Sequence, residues 1–183
     1  MIVGLDVSTS IVGVTFLDDS GNFLSASAII LPSSSLVEKC LFLEQKLSDL
    51  FALKDITEIW VEEPFQRFAR GGSTAATMMK LAAFNGMTQF LCYKMTWVLP
   101  KLINANAARK AVGLKIQREK KCGVSTKQQV LTWAKMELPN YPWPQKTLKS
   151  GPRKGLVIDC PSCFDIADSY VVAKSGFVNS QKE

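Results

Sequence analysis

Three β-rich runs crowd into the first thirty residues, and the links between them are too short for anything but hairpins. Ile2-Val3-Gly4-Leu5-Asp6-Val7, Ile11-Val12-Gly13-Val14-Thr15-Phe16-Leu17 and Phe23-Leu24-Ser25-Ala26-Ser27-Ala28-Ile29-Ile30 alternate as strands do. Only Ser8-Thr9-Ser10 joins the first pair, and the turn string Asp18-Asp19-Ser20-Gly21-Asn22 joins the second. A parallel crossover needs about a dozen residues or more. Both pairs are therefore antiparallel, and the chain opens on a three-stranded meander.

Beyond residue 30 the pattern changes to alternating helices and strands. Pro32-Ser33-Ser34-Ser35 caps a helix over residues 36–53, with Leu36, Leu43, Leu47, Leu50 and Phe51 on a helical period. A fourth strand over residues 56–62 puts Ile59 and Val61 on one face and Trp60 and Glu62 on the other. The helix before it makes it parallel to the first strand. A helix over residues 73–93 is rich in small and flexible side chains (Ala75, Ala76, Met78, Met79, Ala82, Ala83, Gly86), and Trp97-Val98-Leu99 opens a fifth strand. Helices are expected over residues 104–112 and 126–137, the second opened by Ser125-Thr126. Residues 139–161, with Pro139, Pro142, Pro144, Pro152 and Lys146-Thr147-Leu148-Lys149, read as an irregular basic segment. A last helix begins near Cys163 and stops before Gly176, leaving residues 177–183 as a frayed tail. At 183 residues, 47% of them hydrophobic, the chain is sized for one α/β domain with a real core. The expected fold is a five-stranded mixed sheet, meander plus parallel strands, flanked by helices.

Composition narrows the chemistry. There is no histidine, which excludes Ser-His-Asp, Cys-His and His-ligated zinc mechanisms and leaves carboxylates, lysine or hard metal ions. Residues 1–63 carry 3 Lys against 10 acidic residues, whereas residues 64–183 carry 19 basic against 6 acidic. Arg109, Lys110, Lys115, Arg118, Lys120, Lys121 and Lys127 lie close together with Glu119 as their one acid, a pattern that suits the backbone of a nucleic acid. Five scattered cysteines suit a reducing cytosol. Cys160-Pro161-Ser162-Cys163 has no second half to complete a zinc site, so its thiols read as buried or merely tolerated. With no apolar run of about 18 residues and no basic leader, neither a membrane span nor a secretory signal is expected, and the location is cytoplasmic.

Four acids stand out. Asp6 ends the first strand's apolar run and Glu62 ends the fourth strand. Parallel neighbours place them side by side, about 5 Å apart, at the sheet edge where open α/β sheets bind ligands. Either acid alone could be a solvated strand end. Asp165 and Asp168, three residues apart at the start of the last helix, project from one face. Ser162-Cys163-Phe164-Asp165 also fits a capping box, which would account for Asp165 but not for Asp168. Carboxylates so gathered repel unless a cation lies between them. An all-oxygen set suits two magnesium ions, or manganese in their place. Two such ions about 4 Å apart activate a water and stabilise the leaving oxygen in phosphodiester cleavage.

The order of these features resembles the ribonuclease H-like nucleases, and within them the RuvC family of Holliday junction resolvases. The residues that carry the resemblance are Gly4-Leu5-Asp6, Val61-Glu62-Glu63-Pro64-Phe65, Ala108-Arg109-Lys110-Ala111-Val112, Lys127-Gln128-Gln129-Val130 and Asp165-Ile166-Ala167-Asp168-Ser169. It runs from residue 2 to about residue 174. It implies a homodimeric, metal-dependent endonuclease that makes paired nicks in branched DNA, with Asp6, Glu62, Asp165 and Asp168 as catalytic metal ligands and Lys127 beside the scissile phosphate. It further implies that Phe65 stacks on unpaired bases, flanked by Arg67 and Arg70 in a glycine-rich loop, and that the helix at 73–93 forms the dimer interface. Val7-Ser8-Thr9-Ser10 departs from the family's frequent Pro-Gly after the first Asp, and Glu63 is expected on the opposite face from Glu62. The length of the 139–161 segment and the compact chain point to a divergent viral version, such as one from a large bacteriophage. Rival readings are a nuclease of the same fold acting on RNA or flaps, and a catalytically inactive DNA-binding module. A sugar-kinase-like or actin-like ATPase shares the opening loop, but its duplicated domain does not fit in 183 residues.

Overall fold

In the computed structural model, which describes residues 1–64 and 74–182, the meander forms as expected. Strands β1 (Ile2–Val7), β2 (Ile11–Leu17) and β3 (Phe23–Ile30) pair antiparallel in sequence. The Ser8 hydroxyl ties the first turn, donating to the Ile11 carbonyl at 2.8 Å and accepting from the Ile11 amide at 3.0 Å. Helix α1 (Leu36–Phe51) starts on a capping box between Ser35 and Glu38. It leads to β4 (Glu58–Glu62), parallel to β1 with Leu5 opposite Val61. Helix α2 (Ala75–Thr96) and strand β5 (Lys101–Ile103) complete a sheet of order β3-β2-β1-β4-β5. Then come α3 (Ala105–Ala111), a single turn α4 (Glu119–Cys122), α5 (Thr126–Glu137), a separate hairpin of β6 (Gln145–Thr147) and β7 (Val157–Asp159), and α6 (Ser162–Ser180).

Strand alternation divides the core into two halves. Val3, Leu5, Val7, Val12, Val14, Phe16, Ile59 and Val61 face α1 and α2, against Leu43, Leu47 and Phe84. Ile2, Leu17 and Trp60 face the other side, against residues of α3, α5 and α6 such as Ala108, Leu131 and Ala173. The three layers are therefore helix, sheet, helix. On the second face β1 and β2 carry Gly4 and Gly13, and a Cβ at either would stand 2.3 Å from the Ala173 amide nitrogen or 2.0 Å from the Asp165 carbonyl. These two glycines let α6 lie directly on the sheet, and the buried Thr15–Ser169 hydroxyl pair, 2.8 Å apart, fixes its register.

Several expectations are corrected. Trp97 takes a left-handed cap conformation at the end of α2, and the fifth strand begins at Lys101 rather than at residues 97–99. Pro100 between them has no amide to give to a ladder. Residues 139–161 are not wholly irregular, because β6 and β7 pair within them. The last helix does not stop before Gly176, and residues 177–180 are helical rather than frayed. Gly176 is there because Trp60 needs the room: a Cβ would meet its ring at 2.3 Å. Phe177 likewise lies over Gly21. The capping box at residues 162–165 does not form, since Pro161 is the N-cap and makes no side-chain cap bond. Among the described residues no helix is long and apolar enough to cross a membrane.

Candidate active site

Period-two alternation puts Asp6 and Glu62 on the α6 side of two adjacent parallel strands, one register step beyond the Leu5–Val61 pair. α6 lies over that side, and its first two turns bring in Asp165 and Asp168. All four carboxylates line one cavity of about 270 Å³, together with Ser8, Glu63, Arg109 and Lys127. Asp168 is buried, at 8% exposure, and the other three acids are partly so. A larger groove of about 460 Å³ lies between β3 and residues 137–142. Its lining is mostly apolar, with Phe23, Leu138, Pro139 and Pro142, and Glu137 is the one acid in it.

The cavity's electrostatics follow from its construction. Burial raises all four carboxyls above their ordinary values, and their mutual repulsion adds to the effect at Asp6, Glu62 and Asp168. Glu62 reaches about 7, through burial first and then the charge of Asp168. Asp6 is raised well above the usual carboxylate range by burial and then by Glu62, Asp168 and Asp165. Two cations pull the other way. Lys127 favours the ionised form of all four acids, and Arg109 that of Glu62 and Asp168. Arg109 Nη2 stands 3.6 Å from Asp168 Oδ1. The site thus holds more acid than its own cations balance.

The donor set is entirely carboxylate oxygen, which suits magnesium or manganese better than zinc, whose sites favour Cys and His. Among the described residues, however, no three Asp, Glu, His or Cys side chains converge on one point as a finished ion cage. The fit is therefore one of donor chemistry, in a cavity that gathers the carboxylates without clamping them.

The other expected residues fall in different places. Lys127, at the start of α5, lines the carboxylate cavity while staying exposed. Arg109 lines it too rather than joining the outer basic surface. Lys110, Lys115, Arg118, Lys120 and Lys121 are exposed and do not line it. Phe65, Arg67 and Arg70 lie outside the described residues. Glu63 also lines this cavity, and its amide continues the pairing of β4 with β5 by donating to the Ile103 carbonyl at 2.9 Å. Sequence reasoning missed Asn85, a buried amide on α2 that donates to the Glu62 carbonyl at 3.0 Å and accepts from Gln89 at 2.7 Å. Its signal was an amide set among the apolar and small residues Leu81-Ala82-Ala83-Phe84 and Gly86-Met87 of that helix.

No family model matches the sequence, and no curated protein matches it either. Solved structures do match. RuvC from Thermus thermophilus in complex with a Holliday junction substrate superposes with a TM-score of 0.64 at 15% identity, covering 98% of this chain and 94% of that one. A second Thermus thermophilus RuvC structure gives 0.62 at 17% identity, covering 100% and 96%. At such identity the likeness defines the fold: a ribonuclease H-like five-stranded mixed sheet flanked by helices.

Proposed function

We propose that the chain is a metal-dependent endonuclease that resolves Holliday junctions or related branched DNA by paired phosphodiester hydrolysis. The observation that carries this reading is the convergence of four carboxylates from two strands and one helix on a single cavity with Lys127 and Arg109. The structural likeness to a RuvC bound to a Holliday junction substrate supports the choice of DNA.

Asp6, Glu62, Asp165 and Asp168 are the residues that would hold two magnesium ions, with manganese as a substitute. When bound, such ions supply a hydroxide-like water and charge stabilisation at the phosphate. The chain's own part is to gather and orient. β1 and β4 fix Asp6 and Glu62 on rigid backbone, and the amide of Asn85 holds the Glu62 carbonyl. Glycines at 4 and 13 set the depth of Asp165 and Asp168 below the cavity mouth. Lys127, exposed at that mouth, is placed to meet a phosphate oxygen and to stabilise charge that develops on it. The exposed cations Lys110, Lys115, Arg118, Lys120 and Lys121 neutralise the DNA backbone, and Phe65 with Arg67 and Arg70 serves unpaired bases at the branch.

A homodimer would set two such cavities to cut opposite strands, and α2 is the proposed interface. Val37, Leu41, Met79 and Phe90 on α1 and α2 are each at least 60% exposed, which leaves an apolar face beside it. A cytoplasmic site of action accords with five free cysteines. A viral source is proposed from the length of the 139–161 segment. The test is a panel of labelled four-way junction, flap, plain duplex DNA and RNA duplex, each with magnesium or EDTA. Metal-dependent cutting of branched DNA is expected. Cutting confined to RNA would move the assignment to an RNA-processing nuclease, and binding without cutting in either metal would make the carboxylates structural.

A further inference from the structure

The hairpin formed by β6 and β7 has no part in the cavity, yet its composition is one-sided. Residues 138–158 contain no acid, while Lys146, Lys149, Arg153 and Lys154 are all exposed. None of these four side chains makes an ion pair or a hydrogen bond among the described residues. Asp159 at the base is the nearest acid in sequence, and Lys135 occupies both of its oxygens at 2.7 Å. Four like charges on one short hairpin repel one another, and only an external anion relieves them.

The hairpin is built as an arm. Beyond the paired strands, the Leu148 amide donates to the Leu156 carbonyl at 3.0 Å and the Gly155 amide to the Leu148 carbonyl at 2.9 Å, so the ladder continues toward the tip. Gly151 and Gly155 adopt positive φ in open space and let the tip turn. At about 3.3 Å per residue, residues 145–151 reach roughly 20 Å from the base. The base is fixed: the Cys160 amide donates to the Pro144 carbonyl at 2.9 Å, and Cys163 Sγ donates to the same oxygen at 3.1 Å. Directly after it α6 begins, carrying Asp165 and Asp168.

We infer that the β6–β7 hairpin is a duplex-binding arm that grips the DNA backbone next to the cut site, an inference that rests on the proposed nuclease reading. Residues 149–155 are Lys, Ser, Gly, Pro, Arg, Lys and Gly, a stretch that offers cations to phosphates and no aromatic ring to stack on a base. Each strand of duplex presents a phosphate every 3.4 Å or so along the axis. Four cations spread over the arm therefore meet about four phosphates on DNA that leaves the cavity.

The test replaces Lys146, Lys149, Arg153 and Lys154 together with Gln and measures fluorescence anisotropy of labelled duplex and four-way junction in EDTA, over about 50 to 200 mM salt. The slope of log affinity against log salt is expected to become shallower by about 3 to 4, with at least about tenfold weaker binding at the low-salt end. A second variant combining Lys146→Arg, Lys149→Arg and Lys154→Arg keeps the charge and should keep the wild-type slope. Melting temperatures within about 2 °C of wild type show that the variants fold. An unchanged slope and affinity, with wild-type protein binding DNA normally, overturns the arm and leaves the nuclease reading intact. Wild-type protein that binds no DNA at any salt removes both. A slope change on duplex RNA but not on DNA overturns the inference in favour of an RNA-binding arm.

Discussion

Replacing Glu62 with Gln should make the metal-free protein more stable than the native chain at alkaline pH. In the fold, burial and the charge of Asp168 lift the Glu62 carboxyl from its ordinary 4.5 to about 7. The folded state then holds this proton more tightly than the unfolded chain does. Stability is therefore full below the unfolded value and is lost as pH rises through the folded one. At about 1.4 kcal/mol for each pKa unit, the loss comes to about 3 kcal/mol. For a domain of this size each kcal/mol moves the melting temperature by roughly 2–4 °C, so the native protein should melt about 6–12 °C lower at pH 8 than at pH 5. Asp6 is raised in the same direction by Glu62, so neutralising Glu62 also relieves Asp6. The carboxyls of Asp18, Asp19 and Glu38 are lowered and act in the opposite sense, but only at more acid pH. The assay is a set of thermal melts in EDTA from about pH 5 to pH 8, for the native protein and Glu62→Gln, repeated with magnesium. The variant's profile should be flatter and cross the native one, and magnesium should raise the native melting temperature more at pH 8 than at pH 5, since protons compete with metal. A native profile that is flat or rises over that window, or a variant that follows it in parallel, would refute the reasoning.

Gly13→Ala should cost roughly 1–3 kcal/mol in a denaturant titration and reduce cutting as well, because its Cβ would stand 2.0 Å from the Asp165 carbonyl and push α6 off the sheet. Junction cleavage that survives unchanged in a folded Gly13→Ala protein would show that Asp165 need not be held at this depth. Ser169→Ala should destabilise by about 1–3 kcal/mol and more than Thr15→Val. Removing the Ser169 hydroxyl leaves that of Thr15 buried and unpaired, whereas Ser169 keeps its bond to the Ile166 carbonyl when Thr15 is lost. Equal costs for the two in urea melts would contradict that assignment of donors. Gly176→Ala should lower the melting temperature by forcing the Trp60 indole aside, with a matching change in tryptophan fluorescence.

The sheet, and the place of Asp6 beside Glu62, were legible because both depend on short-range rules. Links too short for a crossover impose the meander, and alternation alone places Asp6 and Glu62 on one face. The errors arise where contacts distant in sequence override local preference. Gly176 reads as a helix end, but the ring of Trp60, far away in the chain, needs that gap inside a continuing helix. Trp97-Val98-Leu99 is β-rich in composition, yet the left-handed cap at Trp97 and the missing amide of Pro100 delay the strand. Arg109 belongs by sequence to a basic run, and only the packing of α3 beside α6 brings it to Asp168.

In the proposed function, Asp6, Glu62, Asp165 and Asp168 form one metal-dependent cutting centre. Its most direct test is single-turnover cleavage of a labelled four-way DNA junction by the native protein and by Asp6→Asn, at saturating protein, with magnesium and with EDTA. The native protein should make paired nicks that EDTA abolishes. Asp6→Asn should bind the junction as tightly but cut it at least about a thousandfold more slowly, in line with the several kcal/mol a bound metal supplies to such a reaction. Native-rate cutting by Asp6→Asn, or cutting that persists in EDTA, would contradict the account.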